Sequence, residues 1–280
     1  MKRTRGGERK MVIDLENVSF QKAKKPILQD ISWQVRPGEQ WAILGANGSG
    51  KTSLLKLITG YEWASAGRIS VLGSVFGSVN LHELRKRVGW VSASLDQRYQ
   101  MHEGMPCADV IVSGVHASIG VHEAITKADG ERALALARSM GLEHVAFSPL
   151  SQLSQGERKK AFMARALINE PELLILDEAT SGLDLSAREQ LLAEVERMLT
   201  KKQAPTLLYV THYPEEILPS ISHVLLLKKG RVLAAGRKEE VLTASLVSEA
   251  LGLPLTVEWA NRRPWVKATT AFAHGLDNGD

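Results

Sequence analysis

Gly45-Ala46-Asn47-Gly48-Ser49-Gly50-Lys51-Thr52 lies between a short apolar run, Trp41-Ala42-Ile43-Leu44, and the apolar-dense segment Leu54-Leu55-Lys56-Leu57-Ile58. The run has the length of a buried strand, and the segment beyond it has the apolar density of a helix packed on a sheet. The eight residues between match G-x-x-x-x-G-K-[ST] in the strand–loop–helix setting that gives the pattern meaning. Glycines let backbone N–H groups turn inward onto phosphate oxygens, and the helix start adds partial positive charge. Lys51 can reach the β- and γ-phosphates of a nucleoside triphosphate, and the Thr52 hydroxyl can ligate Mg²⁺. Gly45, Asn47, Gly48, Ser49, Gly50, Lys51, Thr52 and Ser53 form the expected phosphate-binding set.

Working outward, Ile31-Ser32-Trp33-Gln34-Val35 alternates as a half-buried strand that pairs with Val12 to Phe20, and Pro37-Gly38 turns the chain into Trp41. Strand-like Val71-Leu72 and Trp90-Val91 follow, with a charged helical stretch from Leu81 to Arg87 between them. From about 94 to 170 candidate helices dominate: Cys107 to Gly114, Glu131 to Met140 and Glu157 to Ile168. Alternation then resumes with strands at Leu173 to Leu176 and Thr206 to Val210 around a helix from Ala187 to Leu199. Val224 to Leu227 and Val232 to Ala235 read as a hairpin. The expectation is an α/β chain with a largely parallel sheet, wrapped around a helical insertion. Residues 1–10 read as a basic tail, 11–252 as the folded unit and 253–280 as an extension of fading periodicity, with a disordered end at Gly275 to Asp280.

The chain has 280 residues, 44% of them hydrophobic, enough for a sizeable core and too many for global disorder. Its one cysteine, Cys107, cannot form an intrachain disulfide, which fits a reducing compartment. Aliphatic runs such as Val224-Leu225-Leu226-Leu227 fall far short of the ~20 residues that cross a bilayer. Met11-Val12-Ile13 is too short for the core of a signal peptide. Lys and Arg number 35 against 31 acids, a balance of +4, concentrated at Lys2, Arg3, Arg5, Arg9, Lys10 and around Lys22, Lys24 and Lys25. No aromatic residues interleave these charges to stack bases, so they read as a solvated tail and face, with no nucleic-acid partner expected.

Two further motifs carry chemistry. Leu173-Leu174-Ile175-Leu176 runs straight into Asp177-Glu178, which fits a strand edge where Asp177 holds the Mg²⁺ shell and Glu178 faces an attacking water. The alternative is an acid pair at a helix N-terminus. Leu153-Ser154-Gln155-Gly156-Glu157 opens a helix bearing Arg158, Lys159, Lys160 and Arg165, and on its own Ser154 with Glu157 is an ordinary capping box.

The order cradle, Ser-Gln-Gly-Glu helix start, Asp-Glu strand end, Ser181-Gly182-Leu183-Asp184, then strand-terminal His212 resembles the ATP-binding-cassette (ABC) ATPase domain from about Met11 to Leu251. The resemblance implies a P-loop NTPase fold with an antiparallel β subdomain and a helical insertion, and ATP with Mg²⁺ as ligands. It also implies a head-to-tail dimer with a second copy or a paralogue, in which Ser154 and Gly156 bind the γ-phosphate held by the partner subunit's Lys51. Asp184 would lie in the loop between the two sites, Glu178 would polarise water, and His212 would contact the γ-phosphate.

Two positions depart from the family pattern. The aromatic residue that stacks on adenine is replaced by Lys22, whose stem or charge would have to substitute. The glutamine that closes Trp90-Val91-Ser92 is replaced by Ala93, leaving Gln97 as the nearest candidate for sensing Mg²⁺ and water. This segment, with Ile31-Ser32-Trp33 and Val112-Ser113-Gly114, is similar to the branch that groups molybdenum-transport-associated ATPases with proteins once linked to photorepair. The implied function is the ATPase subunit of a transporter, held at the inner face of the cell membrane by a membrane-spanning permease. Import of a small solute such as a metal oxyanion or metal complex is expected. Met101, Met105 and Ile119 fall where the family docks its permease, and they read equally as core of the helical insertion. The rival is a soluble ABC ATPase acting on nucleic acid or the ribosome, which usually carries tandem cassettes. Within that class, chromosome-maintenance ATPases would need a long coiled coil between Lys51 and Asp177, and none is present. A third reading, a nucleotide-sensing module without turnover, is disfavoured by the presence of Glu178 and His212.

Overall fold

The apolar runs singled out above become the strands of two sheets. The computed structural model describes residues 10–116 and 125–269. In chain order its elements are β1 (Ile13–Lys22), β2 (Lys25–Val35), β3 (Trp41–Leu44), α1 (Lys51–Ile58), β4 (Ala66–Val71), β5 (Ser74–Val75), α2 (Leu81–Lys86) and β6 (Val88–Ser92). The helical stretch follows with α3 (Ala93–Tyr99), α4 (Cys107–Val112), α5 (Lys127–Ser139) and α6 (Gln155–Leu167). Then come β7 (Leu173–Asp177), α7 (Leu185–Leu199), β8 (Thr206–Thr211), β9 (His223–Lys228), β10 (Arg231–Arg237), α8 (Lys238–Val241), α9 (Ala244–Leu251), β11 (Leu255–Ala260) and β12 (Arg263–Ala268).

The main sheet has the order β10-β9-β3-β8-β7-β6, parallel throughout except for β10, which closes the expected hairpin on β9. Its inner strands β3, β7, β8 and β9 are largely apolar because both faces are covered. Ala42, Leu44, Leu174, Leu176, Leu207 and Tyr209 face a core shared with the helical stretch. Trp41, Ile43, Leu173, Ile175, Leu208 and Val210 face a second core, made with α1 and the antiparallel sheet β2-β1-β4-β5. The pairing of Ile31–Val35 with the segment starting near Val12 is present as the β1–β2 ladder.

The basic residues of α6 are spent inside the protein. Arg158 grips Glu103 with two hydrogen bonds of 2.8 and 2.7 Å, and Arg165 Nε donates to the Tyr99 hydroxyl at 3.0 Å. Lys160 pairs with Glu194 on α7 at 3.1 Å. Cys107 is buried, and burial pushes its thiol up to about 11, so it stays protonated and unreactive. Met101 is 91% exposed while Met105 packs on the core; Ile119 lies outside the described residues. Among the described residues no helix is long and apolar enough to cross a membrane.

The C-terminal segment differs from the sequence expectation. α9 ends on Gly252 in the left-handed conformation, and β11 and β12 then form a two-stranded hairpin turned by Asn261-Arg262, both at positive φ. Pro264 and the short, charged alternation Leu255-Thr256-Val257-Glu258 hid these strands from a periodicity reading. Arg263 anchors the hairpin by a bidentate pair with Glu189 on α7, at 2.6 and 3.1 Å. The basic tail through Arg9 and the end at Gly275 to Asp280 lie outside the described residues.

The helical stretch closes on α6 at Gly114, where an added Cβ would collide with the Arg165 carbonyl oxygen and sit 2.8 Å from Ile168 Cγ2. Gly114→Ala is therefore predicted to destabilise the chain by about 1–3 kcal/mol through overpacking. Equilibrium urea unfolding checks this, and an unchanged midpoint would refute the close approach.

Candidate functional site

The phosphate loop leaves β3 at Leu44 and enters α1 at Lys51. Gly48 and Gly50 take positive φ of 77° and 108°, and Gly50 caps α1 without a side-chain hydrogen bond. The first N–H groups of the helix are thus left for an external acceptor. A Cβ on Gly45 would strike the Leu227 carbonyl and the Ser49 side chain, so the strand end tolerates glycine only. Ser49 Oγ is buried and has no hydrogen-bond partner among the described residues. Lys51 Nζ donates to the Gly45 and Ala46 carbonyls at 2.7 and 3.2 Å, arching over the loop. Burial pulls the Lys51 ammonium down from its usual value, against the opposing pull of Glu178 and Asp177.

Asp177 is the last residue of β7 and is 7% exposed. Burial first, and then the neighbouring Glu178 carboxylate, push it up to about 6; Lys51 and Lys56 pull the other way without cancelling the rise. Glu178 continues the ladder by one bond, its N–H donating to the Val210 carbonyl at 3.0 Å, and sits at φ +52°. Such a backbone costs a non-glycine residue on the order of 1 kcal/mol or more. His212, just beyond β8, brings Nδ1 to 3.3 Å from Glu178 Oε1, close but not aligned as a hydrogen bond. A cationic loop, a buried acid, a second acid on a strained turn and a histidine therefore meet at one sheet edge. That arrangement suits polyphosphate binding and attack by water.

Known proteins similar to this chain agree with that reading. The ABC transporter family model matches residues 28–181, more than half of the chain. The chain belongs to the ABC transporter ATP-binding family. The uncharacterised ABC transporter ATP-binding protein YlmA of Bacillus subtilis is 42% identical over 257 residues, 91% of this chain and 97% of YlmA. The manganese transport system ATP-binding protein MntB of Bacillus subtilis is 32% identical over 246 residues, 87% of this chain and 94% of MntB. Among solved structures, CbiO1 of Clostridium perfringens, part of the ABC transporter complex CbiONQ, superposes with a TM-score of 0.72 at 26% identity. That match covers 85% of this chain and 92% of CbiO1. The cassette is an ATPase that binds ATP and hydrolyses it to power transport, and such subunits dimerise and work with membrane permeases.

The remaining candidates of the cassette stand apart from the loop. Ser154 caps α6 in a reciprocal box, accepting from the Glu157 N–H at 3.3 Å and donating to Glu157 Oε2 at 2.7 Å. Asp184 caps α7, accepting from the Ala187 N–H at 2.8 Å, and Gly156 lies against Ala187. Ser154, Gly156 and Asp184 thus gather where α6 and α7 begin. Among the described residues no side-chain hydrogen bond joins them to Lys51, Asp177, Glu178 or His212. Gln97 is exposed on α3, and the residue in register with Asp177 is Ser92, whose hydroxyl caps α3. Lys22 pairs with Glu62 at 3.2 Å on the surface. Sequence reasoning missed Glu216, a buried acid on the turn after His212, because no motif or spacing marks it.

The raised Asp177 generates a prediction. An acid whose folded-state value is raised binds its proton more tightly in the folded chain, so stability falls as pH rises from about 4 through 6 and the penalty is complete at neutral pH. Asp177→Asn should raise the stability of the nucleotide-free cassette at pH 7.5 by on the order of 2 kcal/mol, shrinking toward pH 5. Urea melts at both pH values read the difference, and a gain that does not shrink with acid contradicts the cause given.

Proposed function

We propose that the chain is the ATP-hydrolysing subunit of an importer, acting at the cytoplasmic face of the cell membrane as a head-to-tail dimer with a second copy or a paralogue. The observation that carries the catalytic reading is the approach of His212 Nδ1 to Glu178 Oε1 at 3.3 Å beside the buried Asp177. In this reading Gly45, Asn47, Gly48, Ser49, Gly50, Lys51, Thr52 and Ser53 hold the phosphates. Glu178 polarises the attacking water, and His212 meets the γ-phosphate. Ser154 and Gly156 close on the γ-phosphate held by the partner subunit's Lys51, with Asp184 between the two sites.

The donor set also fits Mg²⁺. Thr52 offers a hydroxyl beside Lys51, and Asp177 is a buried carboxylate whose ionised form lacks enough neighbouring positive charge. Thr52 and Asp177 would hold the ion, with Gln97 as an outer sensor. When bound, it supplies positive charge to the phosphate oxygens. The protein's own part is to keep Asp177 dry and fixed at the strand end.

The cargo class, a metal ion, metal oxyanion or metal complex, is supported by the similarity to MntB, whose name places it in manganese transport. The cargo itself would be selected by the permease, since the cassette's chemistry ends at ATP.

Lys51→Ala should abolish ATP binding, read by calorimetry. Glu178→Gln should bind ATP with wild-type affinity, lose steady-state phosphate release by at least 10²-fold, and elute as an ATP-dependent dimer. Unchanged phosphate release in Glu178→Gln removes Glu178 from the chemistry. For the transport reading, the tagged chain should co-purify from solubilised membranes with a multi-span protein; recovery only with RNA or ribosomes would favour a soluble ATPase.

A further inference from the structure

Behind the Glu178–His212 pair lies a buried carboxylate that the reaction as described does not use. Glu216 ends the short turn Pro214–Glu216 and is 2% exposed. Its Oε1 accepts from Thr180 Oγ1 at 2.7 Å; its Oε2 accepts from Thr211 Oγ1 at 2.6 Å and from the Tyr209 hydroxyl at 3.1 Å. All three donors are buried. Thr211 Oγ1 in turn accepts from the Tyr213 N–H at 3.0 Å. The residues on either side of His212 are therefore tied to each other, and both are tied to Glu216.

A carboxylate without access to water is costly, and it is retained only where its hydrogen bonds are made and aligned. Here the donors are hydroxyls from the loop after β7 and from the end of β8. Thr180 lies two residues after Glu178, and Thr211 lies one residue before His212. One side chain thus bridges the loop that bears the acid and the strand end that bears the histidine. The bridge is short, since hydrogen bonds to a charged acceptor are stronger and tighter than neutral ones. From outside, Arg263 of β12 donates through Nε to the Glu215 carbonyl at 2.8 Å and holds the same turn against α7.

We propose that Glu216 is a positioning residue for ATP hydrolysis: by accepting from Thr180 and Thr211 together, it fixes the separation of Glu178 and His212. Glu178 already sits on a strained backbone, and the network opposes its relaxation. The inference rests on the reading of Glu178 and His212 as the reacting pair. ATP binding lies outside it, because the phosphate loop makes no contact with Glu216 among the described hydrogen bonds.

The test uses the full chain and MgATP turnover, with ATP affinity measured in parallel. Glu216→Gln, which replaces one acceptor oxygen by a donor, should lower kcat by roughly 10–100-fold, as a misplacement near 1 Å does, and leave KM and ATP affinity within about threefold. Thr180→Val and Thr211→Val should each lower kcat in the same manner, and Thr180→Ser and Thr211→Ser should restore it. The threonine series decides the matter if Glu216→Gln does not fold. Wild-type kcat in Thr180→Val and Thr211→Val, failure of serine to rescue, or a loss seen in KM would overturn the positioning role. Glu178→Gln and His212→Ala measured alongside separate the two levels. Wild-type turnover in those variants would overturn the reading of the pair itself, and the proposal with it. Their inactivity beside a normal Thr180→Val would overturn the positioning role alone.

Discussion

The parallel register of β6, β7, β8 and β3 sets everything at the edge that bears the phosphate loop. Leu44 is level with Thr211, Asp177 with Val210, and Ser92 with Asp177. Asp177 therefore ends its strand, and the phosphate loop, Glu178 and His212 are the next residues out on adjoining strands, at the end of a parallel sheet where ligands characteristically bind. Side chains on a strand alternate, so a slip of one residue would turn Leu174 and Leu176 into the wrong core and carry Asp177 to the other face. Two separate cores, one on each side, resist that slip. Site geometry and hydrophobic packing are in this sense the same constraint, met at two ends of the same strands.

The electrostatics of the edge follow from burial. Lys51 is pulled down and Asp177 pushed up, opposite directions with the same leading cause: each charged form has lost water. Neither group is at ease in the nucleotide-free protein. A polyphosphate beside Lys51 and a divalent cation beside Asp177 would each supply the missing opposite charge, so ligand binding relieves a cost that the fold has already met. Glu216 solves the equivalent problem differently, with three internal hydroxyl donors, and so has no need of a ligand. That contrast separates a group poised to bind from a group poised to hold.

Much of this was legible in the chain. The strand–loop–helix setting of Gly45 to Thr52 and the run into Asp177-Glu178 depend on local pattern, and both lie where pattern placed them. Three features were not legible. The β11–β12 hairpin is stabilised by Arg263 reaching 74 residues back to Glu189, and its own alternation is too short to announce a strand. The partners of the basic residues of α6, Glu103 and Tyr99, are distant in sequence, so no local pattern announced them. Glu216 meets Thr180 across 36 residues, and no spacing rule connects a turn acid to a threonine on another loop.

The group around Ser154 makes a different kind of sense. A capping box satisfies the Glu157 N–H and the Ser154 N–H, and so leaves the N–H groups of Gln155 and Gly156 without an intrahelical acceptor. Gly156 is not required by this chain's own packing: its φ is not positive, and a Cβ there would make only an ordinary 3.5 Å contact with Ala187. What glycine does supply is an approach to those N–H groups unobstructed by a side chain. Those free N–H groups suit an anion, and among the described residues no hydrogen bond links them to the phosphate loop. In the proposed head-to-tail dimer, this helix start of one cassette would face the phosphate loop of the other across ATP.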